Sequence, residues 1–317
     1  MKAVFLDRAT IDSQVDLTNI NHLVSELTIF DATSSDQVVE RCQNAQIIIT
    51  NKVSITTEII EQLPELKLIC VTATGTNNID LQSAQQKQIA VTNVSGYSTQ
   101  SVTQYVFAFL LSYVNRVPEY LANNSHKPWH ESTHFCQIDF AIAELAGKTL
   151  GILGYGELGR GVARIAEAFG MRVLISEHFG AQQIRAGRKD FNTVLAESDI
   201  YTIHCPLTQQ TEQLFNRERL ALLKPGCIFI NTARGGLVDS AALLEALQSG
   251  HIQHAIIDVL EQEPPPVTHL LSTAQHNNLT LTHHIAWGSQ QAQQRLINGV
   301  AQNIKAFLNQ QSENRVV

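Results

Sequence analysis

Residues 148–177, KTLGILGYGELGRGVARIAEAFGMRVLISE, set a glycine-rich turn between two short apolar runs at the spacing of one strand–helix–strand unit. The run 149–153 leads straight into Gly154-x-Gly156-x-x-Gly159. An amphipathic stretch follows, with Leu158, Val162, Ile165, Ala166 and Phe169 on one stripe. A second β-rich run, 172–176, ends on Glu177, eighteen positions after the third glycine. Each part has a physical reason in dinucleotide binding. Gly154 makes the tight turn, Gly156 lets the backbone approach a pyrophosphate, and Gly159 lets helix and strand pack closely. The helix start offers N–H groups and a positive dipole end to phosphates. Glu177 stands where a carboxylate accepts both ribose hydroxyls of an adenosine. A glycine-rich packing turn alone would leave Glu177 without a reason.

At 317 residues the chain is long for one core and sufficient for two domains. It is 44% hydrophobic without an apolar run near twenty residues, which predicts no membrane span. The opening MKAVFLDRAT reads as a buried first strand rather than a signal peptide. Five cysteines, Cys42, Cys70, Cys136, Cys205 and Cys227, are scattered and never in C-x-x-C spacing, which predicts reduced thiols and a cytoplasmic setting. A net charge of −7 with no basic cluster argues against nucleic acid or an anionic membrane surface. No metal site is expected: His251-x-x-His254 is the nearest metal-like spacing and reads as a turn entering a strand.

Strand-like runs at 3–6, 27–30, 45–50, 68–72 and 89–94 precede the glycine motif, and 173–176, 200–204, 227–231, 255–258 and 279–282 follow its first strand. Helical or polar stretches separate them, the rhythm of parallel sheets covered by helices. Two such sets exceed one doubly wound sheet, so two α/β domains are expected. Residues 98–116 read as a long apolar helix opened by Ser98 as N-cap, bridging the sets. Residues 290–308 read as a last helix with no strand after it, returning to the first domain. The expected organisation is discontinuous: residues 1–97 and 288–317 form one domain, residues 98–287 an inserted nucleotide domain, with a cleft between.

In open α/β sheets ligands gather at the carboxyl ends of strands. In the second set those ends are Gly154–Gly159, His204-Cys205-Pro206, Thr232-Ala233-Arg234, Asp258 with Glu263 beyond it, and His283-His284 up to Trp287. Arg234 follows a buried run and precedes two glycines, so its planar fork is presented, able to hold a carboxylate and polarise a neighbouring carbonyl. The competing reading is a surface salt bridge. His284 is placed to donate the proton that a carbonyl oxygen takes up as hydride reaches its carbon. A carboxylate beside it, best supplied by Glu263, would favour the imidazolium and fix the tautomer.

These residues resemble the D-isomer-specific 2-hydroxyacid dehydrogenases over essentially the whole chain, through GYGELG, HCPLT, NTARGGLVD, DVLEQEPP and HHIAW. The resemblance implies a Rossmann NAD-binding domain inserted into a flavodoxin-like substrate domain, a homodimer built around the nucleotide domains, and an Arg234–Glu263–His284 catalytic set. Within the family, residues 73–80, 93–104, 129–151 and 284–297 resemble glycerate dehydrogenase, also called hydroxypyruvate reductase. By the same resemblance Thr74, Gly75 and Thr76 hold the substrate carboxylate through their backbone, together with Arg234 and His284. Cofactor contacts fall to Thr103, Gly154, Tyr155, Gly156, Glu157, Leu158, Gly159, Glu177, His204, Cys205, Pro206, Thr211, Thr232, Ala233, Arg234, Asp258, His284 and Trp287. One departure stands out. The family usually has proline before the catalytic histidine, and this chain has His283, which on extended backbone points away from the side His284 faces.

The expected function is therefore NAD(H)-dependent interconversion of a small 2-oxo acid and its D-2-hydroxy acid, hydroxypyruvate and D-glycerate first, glyoxylate and glycolate as analogues. Phosphoglycerate dehydrogenase is the rival within the family, though often with a regulatory domain beyond the point where this chain stops. Formate oxidation needs no proton-relay acid, which Glu263 would supply. A non-catalytic, NAD-sensing corepressor is the alternative of another class, and no docking surface or tail for it is evident. Glu177 should favour NADH over NADPH by repelling a 2′-phosphate, with His178, Arg185 and Arg188 just downstream to soften that repulsion.

Overall fold

The computed structural model describes residues 1–124, 126, 128–273 and 276–317. The chain divides into two compact units, Met1–Ser98 with Trp287–Val317, and Thr99–Ala286. Among the described residues, eleven strands form two wholly parallel sheets.

Unit one holds β1 (Lys2–Phe5), β2 (Glu26–Ile29), β3 (Ile47–Thr50), β4 (Leu68–Val71) and β5 (Ala90–Thr92) in the order β2-β1-β3-β4-β5, the flavodoxin-like order. β3 and β4 are buried at every position, as central parallel strands with both faces covered must be. One face carries Phe5, Ile47, Ile49 and Leu68 against Leu296, Ile297, Val300 and Ile304 of the helix Gln290–Leu308. Ser289 caps that helix through the N–H of Ala292. The sequence pattern predicted nothing after it, yet the chain returns to the sheet edge, where Arg315 bridges Thr92 in antiparallel sense and Val316 donates to the Val91 carbonyl. A contact of this length has no periodicity to read.

Unit two holds β6 (Thr149–Leu153), β7 (Arg172–Ser176), β8 (Ile200–Ile203), β9 (Cys227–Asn231), β10 (Ile252–Ile257) and β11 (Leu279–Leu281) in the order β11-β10-β9-β8-β6-β7. Lys189 adds a parallel bridge to Ser176 outside β7, where the third strand of a Rossmann sheet lies. β10 begins three residues earlier than the apolar pattern 255–258 suggests, because Ile252 and His254 alternate with Gln253 as a half-buried strand does. The long apolar helix expected over 98–116 runs Thr99–Val114, wholly within unit two, with Val102, Val106, Phe107, Leu110 and Val114 buried. It lies against the helix Glu157–Ala168, where Thr103 faces Gly161 and Phe107 stacks on Phe169 at 5.5 Å. Gln104 and Ala108 are exposed and Phe109, Leu111 and Tyr113 only partly covered, so the apolar circumference is not closed within the unit. No helix among the described residues is long and apolar enough to cross a membrane.

Candidate active site

The glycine turn is built as its chemistry requires. Gly154 sits at φ +91°, and a Cβ there would lie 2.5 Å from the Cys205 backbone nitrogen, so conformation and space both demand glycine. A Cβ on Gly159 would lie 2.1 Å from the Gly154 carbonyl oxygen, which locks helix to turn. At Gly156 nothing stands within 4 Å of the Cβ position. The helix Glu157–Ala168 opens directly from Gly156 with no side chain capping its N–H groups. Open space over uncapped donors at a positive dipole end fits a dinucleotide pyrophosphate. Glu157 starts that helix, Leu158 is half-buried behind it, and Tyr155 lies under the Arg160 guanidinium at 5.8 Å.

Glu177 ends β7 in the expected place, but its carboxylate is already engaged. Its side chain is 3% exposed. Oε1 accepts the His178 N–H at 2.9 Å, and Oε2 accepts the Arg185 N–H at 3.2 Å and Arg185 Nε at 2.8 Å. Arg185 Nη2 completes a bidentate pair on Oε1, and Arg188 Nη1 lies 3.5 Å away. The Arg185 guanidinium holds this carboxyl far below the ordinary carboxylate range, against the opposing effect of burial.

At the end of β8, His204 Nε2 pairs with the Thr202 hydroxyl at 3.0 Å, and burial pushes the imidazole down to about 4, so it is neutral near pH 7. Cys205 is buried, and its thiol is pushed up to about 11. Thr211 donates to the Pro206 carbonyl at 2.9 Å and receives the Thr208 N–H at 2.8 Å, stapling the loop after β8. Thr232 and Ala233 are buried at the end of β9, and the Thr103 hydroxyl is turned into the helix contact with Gly161.

Arg234 follows β9. Its backbone carbonyl accepts from Asn231, and Nη1 donates to the Ala233 carbonyl at 2.6 Å, which leaves most of the fork presented. Among the described residues no carboxylate lies within salt-bridge distance of it, so the surface salt bridge is not made. The next residue is packed without tolerance: a Cβ on Gly235 would lie 1.9 Å from the Leu260 carbonyl carbon. That contact sets the Arg234 loop against the loop of Glu263, whose Oε1 accepts the Leu260 N–H at 3.0 Å. Glu263 Oε2 in turn meets His284 Nδ1 at 2.5 Å, leaving Nε2 as the far nitrogen of the ring. The structure thus joins Glu263 and His284 directly. His283 beside them is exposed.

His284 sits at φ +55°, the left-handed region that a residue with a Cβ rarely occupies. Asp258, 1% exposed at the end of β10, supplies what holds it there. The Asp258 carbonyl accepts the His284 N–H at 2.7 Å, and its carboxylate accepts the N–H groups of Ile285 and Ala286, both at 2.9 Å. The Thr282 hydroxyl at 2.7 Å and the Tyr105 hydroxyl at 3.3 Å complete the set. Tyr105 and Thr282 escaped the sequence reading as site residues, because hydroxyls 153 and 24 positions from their partner leave no local signal.

Trp287 begins the second segment of unit one and meets Tyr97 edge-on at 6.3 Å. In the same unit, after β4, the Thr74 hydroxyl donates to the Val94 carbonyl at 3.0 Å. The N–H groups of Thr74, Gly75 and Thr76 make no backbone hydrogen bond to the described residues. Three successive unspent donors are the main-chain arrangement that anions use.

A doubly wound sheet with a glycine turn and an uncapped helix start defines a dinucleotide-binding α/β protein. Residues 107–286 match the model of the D-isomer specific 2-hydroxyacid dehydrogenase NAD binding domain. The chain is 42% identical to a Haemophilus influenzae protein named as a 2-hydroxyacid dehydrogenase, over 98% of this chain and 99% of that one. It is 40% identical to a glycerate dehydrogenase of Methylorubrum extorquens, over 99% and 98%. A Staphylococcus aureus NAD-dependent formate dehydrogenase solved with NAD superposes with a TM-score of 0.82 at 27% identity, over 100% and 99%. The chain belongs to the D-isomer specific 2-hydroxyacid dehydrogenases: it is an NAD-binding oxidoreductase of 2-hydroxy acids.

Proposed function

We propose that the enzyme reduces hydroxypyruvate to D-glycerate with NADH, and glyoxylate to glycolate as an analogous reaction. The observation that carries the mechanism is the 2.5 Å contact between His284 Nδ1 and Glu263 Oε2, set beside a loop that presents Arg234 without a carboxylate partner among the described residues. When bound, NADH supplies the hydride. Arg234 binds the 2-oxo acid and polarises its carbonyl. His284 Nε2 delivers one proton to the carbonyl oxygen as the carbon takes the hydride, so that oxo acid, NADH and a proton become hydroxy acid and NAD⁺. Glu263 keeps the proton on Nδ1 and the ring in place. In unit one, the N–H groups of Thr74, Gly75 and Thr76 are the proposed carboxylate-binding donors. Glycerate as product is favoured by the resemblance to glycerate dehydrogenase in sequence and in the 40% identical relative.

A substrate panel tests this: hydroxypyruvate, glyoxylate, 3-phosphohydroxypyruvate and pyruvate, each with NADH. Hydroxypyruvate is expected to give the highest kcat/KM, with D-glycerate as the product on a chiral column. A preference for the phosphorylated acid would overturn the substrate, and binding of NADH without turnover of any oxo acid would overturn the mechanism.

The enzyme is also proposed to be a homodimer. Leu121, Trp129, Phe135, Ile138 and Ile142 are 72%, 63%, 90%, 76% and 56% exposed in the tract that follows the incompletely covered helix Thr99–Val114. An apolar tract this concentrated supports an interface, and a two-fold mate would cover it on both copies. Light scattering is expected to give twice the 35.1 kDa of one chain, and a fully active monomer would refute it.

A further inference from the structure

The acid that ends β7 does not stand alone. A carboxylate offers about four lone-pair sites. At Glu177 the His178 N–H, the Arg185 N–H and two guanidinium nitrogens of Arg185 occupy them, with Arg188 Nη1 at 3.5 Å and His178 Nε2 at 4.0 Å from the same oxygen. No acceptor remains for a ribose diol while Arg185 is in place. The charge count also reverses: one carboxylate against two guanidinium groups leaves a net positive site, whereas Glu177 alone would be negative. The loop is held to this arrangement at both ends. Lys189 bridges Ser176, the Glu177 N–H donates to the Lys189 carbonyl at 2.8 Å, and the Lys189 N–H donates to the Ile175 carbonyl at 2.9 Å. Within it the Arg185 side chain, though paired with Glu177, is 52% exposed to solvent, while Arg188 is 17% exposed.

We propose that Arg185 is a specificity-determining residue that caps Glu177, and that it allows the enzyme to bind NADPH as well as NADH. This rests on reading Glu177 as the acid that faces the adenosine ribose. Toward NADH, the Arg185 side chain turns away and yields the carboxylate to the two hydroxyls. Toward NADPH, it keeps its pairing with Glu177 or shares it, and the two guanidinium groups meet the 2′-phosphate. The repulsion that an unpaired carboxylate exerts on a 2′-phosphate is cancelled within the protein, so a strict NADH preference is not built into this site.

Direct binding to the full-length protein tests the proposal without turnover. NADH and NADPH are titrated by nicotinamide fluorescence, and 5′-AMP and 2′,5′-ADP by calorimetry, on the wild type and on Arg185→Ala, Arg185→Gln, Arg185→Lys and Glu177→Gln. In the wild type the Kd for NADPH is expected within about tenfold of that for NADH. Arg185→Ala is expected to weaken NADPH and 2′,5′-ADP by about tenfold or more, the loss of one charge-assisted contact, and to leave NADH unchanged or tighter. Arg185→Lys restores part of the NADPH affinity, as a point charge without the fork. Should Arg185→Ala melt near room temperature with Glu177 left unpaired, Arg185→Gln carries the test, since its amide still donates to the acid without a charge. A wild type that binds NADPH more than about a hundredfold more weakly than NADH would overturn the proposal, as would an Arg185 variant that shifts both cofactors alike. Glu177→Gln separates the two layers. If it leaves every Kd unchanged, the reading of Glu177 as the ribose acid fails. If it weakens NADH while the Arg185 variants leave the NADPH to NADH ratio intact, only the role of Arg185 fails.

Discussion

Asp258→Asn is the substitution that most directly tests how His284 is held. The Asp258 carboxylate is buried and receives the N–H groups of Ile285 and Ala286 as well as the Thr282 and Tyr105 hydroxyls. Asparagine keeps one acceptor oxygen and turns the other into an NH₂ that faces a backbone N–H. The change removes a hydrogen bond to a charged group, about 1.5–3 kcal/mol, and strands a buried donor, about 1–3 kcal/mol. The left-handed backbone of His284 stores about 1–3 kcal/mol of local strain, which these bonds offset. Losing about 2–3 kcal/mol of that restraint lets the loop relax and carries the imidazole away from Glu263. Expressed on kcat, this is a fall of roughly 30- to 150-fold. Stopped-flow and steady-state reduction of hydroxypyruvate give kcat, and fluorescence titration gives the NADH Kd separately. A positioning role predicts a lower kcat with NADH affinity within about twofold of wild type, and a melting temperature reduced by several degrees. Tyr105→Phe removes the 3.3 Å contact to Asp258 and the pairing with the Thr282 hydroxyl but none of the loop N–H contacts, so kcat is expected to fall less than about fivefold. An Asp258→Asn enzyme with wild-type kcat would refute the argument. An effect confined to NADH affinity would refute it too, and would assign Asp258 to the cofactor.

Gly156→Ala and Gly235→Ala should behave oppositely: the first has free space and is expected to melt like wild type while binding NADH at least about tenfold more weakly, because its methyl meets the pyrophosphate. Gly235→Ala forces a methyl to 1.9 Å from the Leu260 carbonyl carbon, so it should cost about 3 kcal/mol or more of stability and part the loops that carry Arg234 and Glu263; a normal melting curve would contradict it. Arg234→Ala should raise KM for the oxo acid strongly and lower kcat as well, and Arg234→Lys should recover charge without bidentate geometry, and so only part of kcat/KM. Burial, with the charge of Arg116, pushes His254 down to about 4, while the unfolded chain titrates near 6.5. The unfolded state therefore binds the extra proton between those values, and stability falls as pH drops from about 6.5 toward 4, by about 2 kcal/mol at pH 5 from this group. Melting curves from pH 7.5 to 5 should show a steeper loss for wild type than for His254→Gln, and equal slopes would remove His254 as a cause.

What was legible in the sequence is what local physics writes there. The strand runs and the helices Thr99–Val114 and Gln290–Leu308 announce themselves by periodicity, and the glycine turn by steric demands that the structure repeats at Gly154 and Gly159. The Glu263–His284 contact was legible for a different reason: both residues follow strands of one parallel sheet, and the carboxyl ends of such strands converge. Contacts made by loops without periodicity stayed hidden. The hydroxyls of Tyr105 and Thr282 reach Asp258 only after the sheet has brought them together. The capping of Glu177 was legible only in part: Arg185 and Arg188 stand in the sequence as cations just downstream that soften its charge, but not as a pairing that fills the carboxylate. Its motif reads as one negative charge at the end of β7, and the eight residues to Arg185 carry neither helical nor strand pattern. Yet that loop, pinned by Lys189, sets the sign of the local charge. A strand–turn–helix motif specifies that a dinucleotide binds, because pyrophosphate needs only backbone and space. Discrimination at the ribose depends on side-chain charge, which a neighbouring loop can reverse without altering one residue of the motif.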